Sequence, residues 1–290
     1  MILWNERIVQ RDEVKIDFED RGYQFGDGVY EVIRVYSGKF FEMDSHLERL
    51  KQSAEKIDLA IPYSLIDIKN RLIELIKTNH IINGTVYIQV TRGTAPRTHH
   101  FPDESKAVLM AYTQESERPI NKTTNGISAI LTEDVRWLCC DIKSLNLLPN
   151  VLAKQKAKQL KCDEALLHRG EIVSEGSSSN VYIVNGNVIS THPANNLILN
   201  GITRKVVFQL AKENHIEVRE EPFTINQMLS SDEIFITSTT FEITPVIEIN
   251  DTKIGNGSPG NVTQTLQKAF GERIFGSDSL ALEQEGRVKV

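Results

Sequence analysis

The stretch Gln114-Glu115-Ser116-Glu117-Arg118-Pro119-Ile120-Asn121 divides this chain. It is polar, carries a proline, and has neither the two-residue period of a strand nor the 3.6-residue period of a helix, so it predicts a domain boundary. With 290 residues the chain can hold one large domain or two ordinary ones. Residues 1–118 are therefore expected to form a smaller N-terminal α/β domain and 119–275 a larger C-terminal one. The fold class is α+β, and the cleft between two such domains is the default ligand site. The tail 276–290 is weakly patterned and supports no assignment.

Upstream of the boundary, Val29, Glu31, Ile33 and Val35 fall on one face of a period-2 segment, with Tyr30, Val32, Arg34 and Tyr36 on the other. Ser37-Gly38 turns this strand into a hairpin with Lys39-Phe40-Phe41. Ser45-x-x-Glu48 reads as a capping box opening a helix whose stripe is Leu47, Leu50, Ala54 and Ile57. Ser64-x-x-Asp67 caps a second helix with Leu65, Ile68, Leu72 and Leu75 on one face. Strands over 86–91 and 107–113 flank the loop from Gly93 to Pro102. Downstream, a helix is expected over 151–161, short strands between Glu164 and Thr191, and a helix opening near Thr203. Strands over 216–218 and 233–237 and a last helix over 262–274 follow.

Composition excludes several classes. Lys plus Arg is 33 and Asp plus Glu is 39, a net charge of −6, which disfavours nucleic acid and anionic membranes as partners and points to a small ligand. No apolar run approaches about 18 residues, and the start has no basic segment followed by an apolar one, so neither a membrane span nor a secretory signal is expected. Three cysteines, Cys139, Cys140 and Cys162, are an odd number without metal or redox spacing, which fits a reduced cytoplasmic setting.

Three clusters of small and hydroxyl residues lie in the second half: Glu175 to Asn180, Asn200 to Thr203, and Thr237 to Thr240. Each can be a turn or a cap. Together they also fit a phosphate cup, because Gly201-Ile202-Thr203 opens a helix whose free N–H groups and dipole favour an anion. The dinucleotide and P-loop glycine patterns are missing, so the ligand expected is a phosphorylated cofactor without a nucleotide. Arg97-Thr98-His99-His100 is either a solvated loop or a carboxylate site, with Arg97 and His99 pointing the same way in an extended chain. His99, His100 and Asp103 as metal ligands form a remote alternative, a metal-dependent hydrolase, disfavoured by their spacing. Lys143 sits in the apolar stretch Asp141 to Leu148, where burial would make it an amine nucleophile, but spacing alone does not select it among the lysines.

Read together, Asp20-Arg21-Gly22-Tyr23-Gln24-Phe25-Gly26-Asp27-Gly28-Val29-Tyr30-Glu31, Asp141-Ile142-Lys143-Ser144-Leu145-Asn146 and Glu175-Gly176-Ser177-Ser178-Ser179-Asn180 resemble the fold-type IV pyridoxal-phosphate aminotransferases. The resemblance runs from about Leu3 to about Phe275 and is strongest to the bacterial D-amino acid branch. It implies pyridoxal 5'-phosphate as cofactor, held as a Schiff base by Lys143, which also shuttles the substrate proton. Glu175 would pair with the pyridine nitrogen and Leu199 pack on the ring. Arg49, Gly201, Ile202, Thr203, Ser238 and Thr239 would bind the phosphate. Tyr30, Arg97 and His99 would trap the substrate α-carboxylate, with Arg97 and His99 reaching in from the partner of a homodimer. The implied reaction is ping-pong transfer from a D-amino acid such as D-alanine to a 2-oxo acid such as 2-oxoglutarate, giving pyruvate and D-glutamate. Branched-chain L-aminotransferases and aminodeoxychorismate lyase share the motifs around Lys143 and Glu175. Arg97-x-His99 resembles their loops less and favours the D-amino acid reading.

Overall fold

In the computed structural model, which describes residues 1–276, the chain divides into two compact units. The first joins Met1–Arg118 to the separate segment Ile142–Leu147; the second holds Pro119–Asp141 and the chain from Leu148 onward. Apart from Gly276, the tail 276–290 lies outside the described residues.

The first unit contains β1 (Ile2–Trp4), β2 (Arg7–Val9), α1 (Arg21–Phe25), β3 (Gly28–Tyr36), β4 (Lys39–Phe40), α2 (Met43–Glu55), α3 (Leu65–Thr78), β5 (Gly84–Thr91) and β6 (Val108–Glu115). Its strands form one antiparallel sheet in the order β2-β1-β6-β5-β3-β4. Alternation along β3 sends Val29, Ile33 and Val35 into the core, where they meet Leu47 and Leu50 of α2 and Leu72 of α3. Each buried leucine here contributes a transfer free energy of about 2 kcal/mol. Ser64 caps α3 by accepting from the Asp67 amide, as its sequence predicts. The α2 cap differs: the helix begins at Met43, with Glu42 in the left-handed region at φ 54° and the Ser45 hydroxyl donating back to Glu42 Oε2. Ser45 is therefore inside the first turn, and the helix opens ahead of the expected capping box.

The second unit contains α4 (Ile120–Asn125), β7 (Ile127–Glu133), α5 (Leu148–Gln159), β8 (Glu164–Arg169), β9 (Ile172–Gly176), β10 (Asn180–Asn185), β11 (Val188–Thr191), α6 (Ile202–Glu213), β12 (Glu217–Glu220), α7 (Ile225–Leu229), β13 (Glu233–Ser238), β14 (Glu242–Ile249), β15 (Thr252–Lys253) and α8 (Asn261–Phe275). Its sheet runs β12-β11-β10-β13-β14-β7-β8-β9, with β15 paired to β14. β7 is an interior strand, parallel to both β14 and β8. Neither β7 nor β14 is flagged by the sequence reading, because each gains its regularity from neighbours distant in the chain. Pro149 falls in the first turn of α5, where its missing N–H costs nothing.

One expectation is corrected. The sequence boundary puts Lys143 in the C-terminal domain, yet its segment belongs to the first unit. The edge of β3 facing away from β5 is paired by β4 only at Val35 and Tyr36, which leaves its start open. The segment fills that gap: Tyr30 N donates to Lys143 O (3.0 Å), Leu145 N donates to Gly28 O (3.0 Å), and Val29 bridges Ser144. A pairing of three residues has no periodicity that a sequence could display.

Candidate active site

Within the first unit, helix α2 carries two adjacent stripes. Met43, Leu47, Leu50 and Ala54 form the apolar one; His46, Arg49 and Ser53, at i, i+3 and i+7, form a buried polar one. The polar stripe meets Glu31, which occupies the core-facing row of β3 between Val29 and Ile33 and is fully buried. Arg49 Nε and Nη2 donate to the two Glu31 oxygens at 2.6 and 2.8 Å, and His46 Nδ1 lies 2.7 Å from Glu31 Oε2. Burial alone would raise the Glu31 pKa; the charge and hydrogen bonds of Arg49, with those of His46, outweigh it and hold the carboxyl at about 2. His46 is pushed below its ordinary range, chiefly by burial, with Arg49 and Lys143 adding to the effect and Glu31 opposing it. Arg49 is thus buried, contrary to its position on a helical wheel, because a carboxylate waits for it on the facing strand. Glu31 and His46 were not anticipated as site residues. The detectable signal was a carboxylate in an otherwise apolar period-2 row.

Ser53 connects this stripe to the lysine segment, its hydroxyl accepting from the Lys143 amide (3.2 Å). The Lys143 ammonium lies over the Tyr30 ring, 4.1 Å from its centroid. Among the described residues its Nζ forms no hydrogen bond or ion pair. An amine held against an aromatic face with no acid beside it suits a nucleophile better than a surface lysine.

In the second unit, Asn180 is the hub. Its Nδ2 donates to Glu175 Oε2 (3.0 Å) and to Leu199 O (2.8 Å), while the Leu199 amide donates to Glu175 (3.1 Å to Oε2). Gly201 abuts the same side chain: a Cβ built there would stand 2.2 Å from Asn180 Oδ1. Asn180 pairs across the sheet with Thr237, next to Ser238 at the end of β13, and Thr239 follows in the turn. Gly201 caps α6 without a side-chain hydrogen bond, so the amides of Ile202 and Thr203 open the helix with no side chain of their own cap to satisfy them.

Arg136 was also missed. It chelates Asp134 through Nε (2.8 Å) and Nη2 (2.9 Å) and donates from Nη1 to Glu175 Oε1 (2.5 Å). Burial pushes the Glu175 carboxyl up to about 7 although Arg136 and the Leu199 amide pull it down. Asp134, despite its burial, goes the other way, to about 2, because it accepts three bonds from Arg136, one of them from the backbone amide, and others from Ser174 and Arg169. One guanidinium is thus shared by two carboxylates, and burial outweighs its pull at Glu175 but not at Asp134. The three serines that the sequence offered for a phosphate cup are otherwise engaged: Ser177, Ser178 and Ser179 all donate to the buried carboxylate of Glu164.

Arg97 and His99 meet around one ring. The Arg97 guanidinium carbon is 4.9 Å from the Phe25 centroid, and the His99 ring stands nearly perpendicular to the same ring with centroids 5.9 Å apart. Both are exposed, and among the described residues no hydrogen bond or ring contact joins either to Tyr30, which stacks instead on Tyr87. No three His, Cys, Asp or Glu side chains among the described residues are placed to hold a metal, so the alternative based on His99, His100 and Asp103 lacks a ligand set. No helix among them is long and apolar enough to cross a membrane.

The sequence profile of amino-transferase class IV matches residues 28–249, which spans β3, Lys143, Glu175 and the α6 N-terminus. The chain belongs to the class IV aminotransferase family. Among curated members of this family, D-alanine aminotransferase of Listeria innocua is 51% identical over 94% of this chain and 96% of its own length. D-alanine aminotransferase of Staphylococcus haemolyticus is 48% identical over 93% and 96%. Among solved class IV folds, a branched-chain amino acid aminotransferase from Escherichia coli superposes with a TM-score of 0.88 at 26% identity, covering 95% of this chain and 94% of that one. A second branched-chain amino acid aminotransferase, complexed with N-(5'-phosphopyridoxyl)-L-glutamate, gives the same TM-score, identity and coverage. The α+β architecture is thus the aminotransferase fold.

Proposed function

We propose that this class IV aminotransferase moves an amino group from a D-amino acid, such as D-alanine, to a 2-oxo acid, such as 2-oxoglutarate, using pyridoxal 5'-phosphate. The carrying observation is the Lys143 amine, held over Tyr30 without an acid partner. The near 50% identity to D-alanine aminotransferases over almost the whole chain favours the D-amino acid substrate over the branched-chain L-amino acids of the structural neighbours.

The residues present fit the cofactor. Its phosphate suits the uncapped amides of Ile202 and Thr203 and the hydroxyls of Thr203, Ser238 and Thr239, all within the second unit, and Arg49 is assigned to it by the family resemblance. Its ring nitrogen suits Glu175, a carboxylate whose affinity for a proton is already raised by burial. Leu199, whose backbone fixes Glu175, supplies an apolar face for the ring. When bound, the cofactor draws electron density from the substrate Cα and stores the amino group between half-reactions.

Lys143 Nζ would hold the cofactor covalently and would also serve as the base that moves the Cα proton. Glu175, its two oxygens fixed by Arg136 and Asn180, would hold a proton at the ring nitrogen of a bound cofactor. Tyr30, Arg97 and His99 hold the substrate α-carboxylate, which decides which Cα–H bond faces the lysine and hence the accepted hand. We assign Arg97 and His99 to the site of a second copy in a homodimer. Their exposure and lack of polar partners support this, as do exposed Trp137 and Leu138.

The test is the visible absorption of the cofactor-loaded protein on adding D-alanine and then L-alanine, with D-alanine, L-leucine and aminodeoxychorismate assayed side by side. D-alanine alone should bleach the band and be turned over. A response to L-leucine or elimination from aminodeoxychorismate in place of it would transfer the chain to another branch. Lys143→Ala should remove both the band and the activity.

A further inference from the structure

The helix α1 and the loop that follows β5 are joined by contacts that the reaction as described does not use. Arg21 N donates to Gly93 O (2.9 Å), Asp20 bridges Thr94, and Arg21 Nη1 donates to Thr98 O (2.8 Å). Asp27 Oδ2 accepts from both Arg21 Nε and Arg92 Nε at 2.8 Å, which ties α1 and the start of the loop to one carboxylate. At the centre is Phe25. Its ring takes the Arg97 guanidinium at 4.9 Å and packs against the His99 ring with centroids 5.9 Å apart and an interplanar angle of 81°.

We propose that Phe25 is a positioning residue that presents Arg97 and His99 together to the substrate carboxylate. The reason lies in which surfaces the contacts consume. A guanidinium packed on an aromatic ring is held by its positive charge and its plane, so its N–H groups remain available for a bidentate carboxylate. The near-perpendicular packing of the His99 ring on Phe25 involves no hydrogen bond to either ring nitrogen, which leaves both for a ligand. Arg21, on the same ring, is committed differently, since Nε and Nη1 are already bonded to Asp27 and Thr98. Among the described residues neither Arg97 nor His99 has a hydrogen bond or ion pair, so Phe25 is what orders two exposed side chains that would otherwise sample many rotamers. Ordering them beforehand removes a cost from substrate binding and not from the chemical step, so the effect falls on KM.

This inference rests on the carboxylate-trap reading of Arg97 and His99, and the experiment separates the two. Phe25→Leu, Phe25→Met, Phe25→Tyr and Arg97→Ala are loaded with pyridoxal 5'-phosphate. Each is assayed with D-alanine and titrated with propionate, a carboxylate without an amino group, by the visible band. Phe25→Leu and Phe25→Met should raise KM and the propionate Kd about tenfold, the worth of the lost aromatic contacts, with kcat within about twofold. Phe25→Tyr, which keeps the ring face, should restore both, and Arg97→Ala should raise both further. If Arg97→Ala raises KM while the Leu and Met variants stay within about twofold of wild type, or lower kcat at constant KM, the role of Phe25 is refuted and the trap stands. If Arg97→Ala leaves KM and propionate binding unchanged, the trap reading fails and the proposal with it.

Discussion

Replacing Glu31 by Gln keeps the shape of the side chain and removes its charge, which isolates what the carboxylate does. In the folded protein Glu31 accepts two hydrogen bonds from Arg49 and one contact from His46, at full burial. Its carboxyl is held at about 2, against an ordinary value of 4.5. At about 1.4 kcal/mol per pKa unit that difference is worth about 3 kcal/mol. The sign follows from the direction of the shift. Because the folded pKa lies below the unfolded one, the stabilisation is complete above about pH 4.5 and is lost as the pH falls through about 2. By about pH 3 the unfolded chain is protonated while the folded carboxyl is mostly ionised, and about 1 kcal/mol should remain. The Gln amide adds a second loss, because its NH2 group is set against one of the Arg49 N–H groups while the buried guanidinium loses its carboxylate counter-charge, a defect worth about 3–5 kcal/mol at neutral pH. Urea unfolding of the wild type and Glu31→Gln, followed by far-ultraviolet circular dichroism at about pH 7 and about pH 3, measures the difference directly. It should be at least about 3 kcal/mol at neutral pH and clearly smaller in acid. A difference below about 1 kcal/mol at neutral pH, or one that does not change with pH, would refute the view that this buried pair is ionised and mutually stabilising.

Other perturbations test the second unit. Gly201→Ala places a methyl group where Asn180 Oδ1 stands, so Asn180 must release Glu175 and Leu199 O. Equilibrium dialysis should show pyridoxal 5'-phosphate bound up to about thirtyfold more weakly, as two hydrogen bonds of about 1 kcal/mol each are disturbed; wild-type affinity would contradict it. Glu164→Gln weakens a set of bonds from Ser177, Ser178, Ser179 and the Ala165 amide. Stability to urea should fall by about 2–4 kcal/mol, and an unchanged midpoint would show the three serines to be satisfied by water.

Local sequence determined what depends on neighbours in the chain. The alternation of β3, the Ser37-Gly38 hairpin and the Ser64 cap are legible because a two-residue period, a tight turn and a cap involve residues a few positions apart. The site motifs around Lys143 and Glu175 were legible by resemblance, since their residue order is a chemical signature. Spacing alone did not choose Lys143 from the other lysines. Tertiary structure decided the rest. Arg49 reads as a solvated helix residue until Glu31, eighteen positions away, is brought against it, and a buried charge is tolerable only with such a partner. Lys143 reads as part of the second half until the open edge of β3 captures its segment. Arg136 is one arginine among many until the fold places it between Asp134 and Glu175, where it lowers both carboxyls and only the burial of Glu175 outweighs its pull. Sequence specifies which groups are present and the local geometry of each. Their pKa values, and which of them share a carboxylate, a ring or a strand edge, follow from distances that exist only in the folded chain.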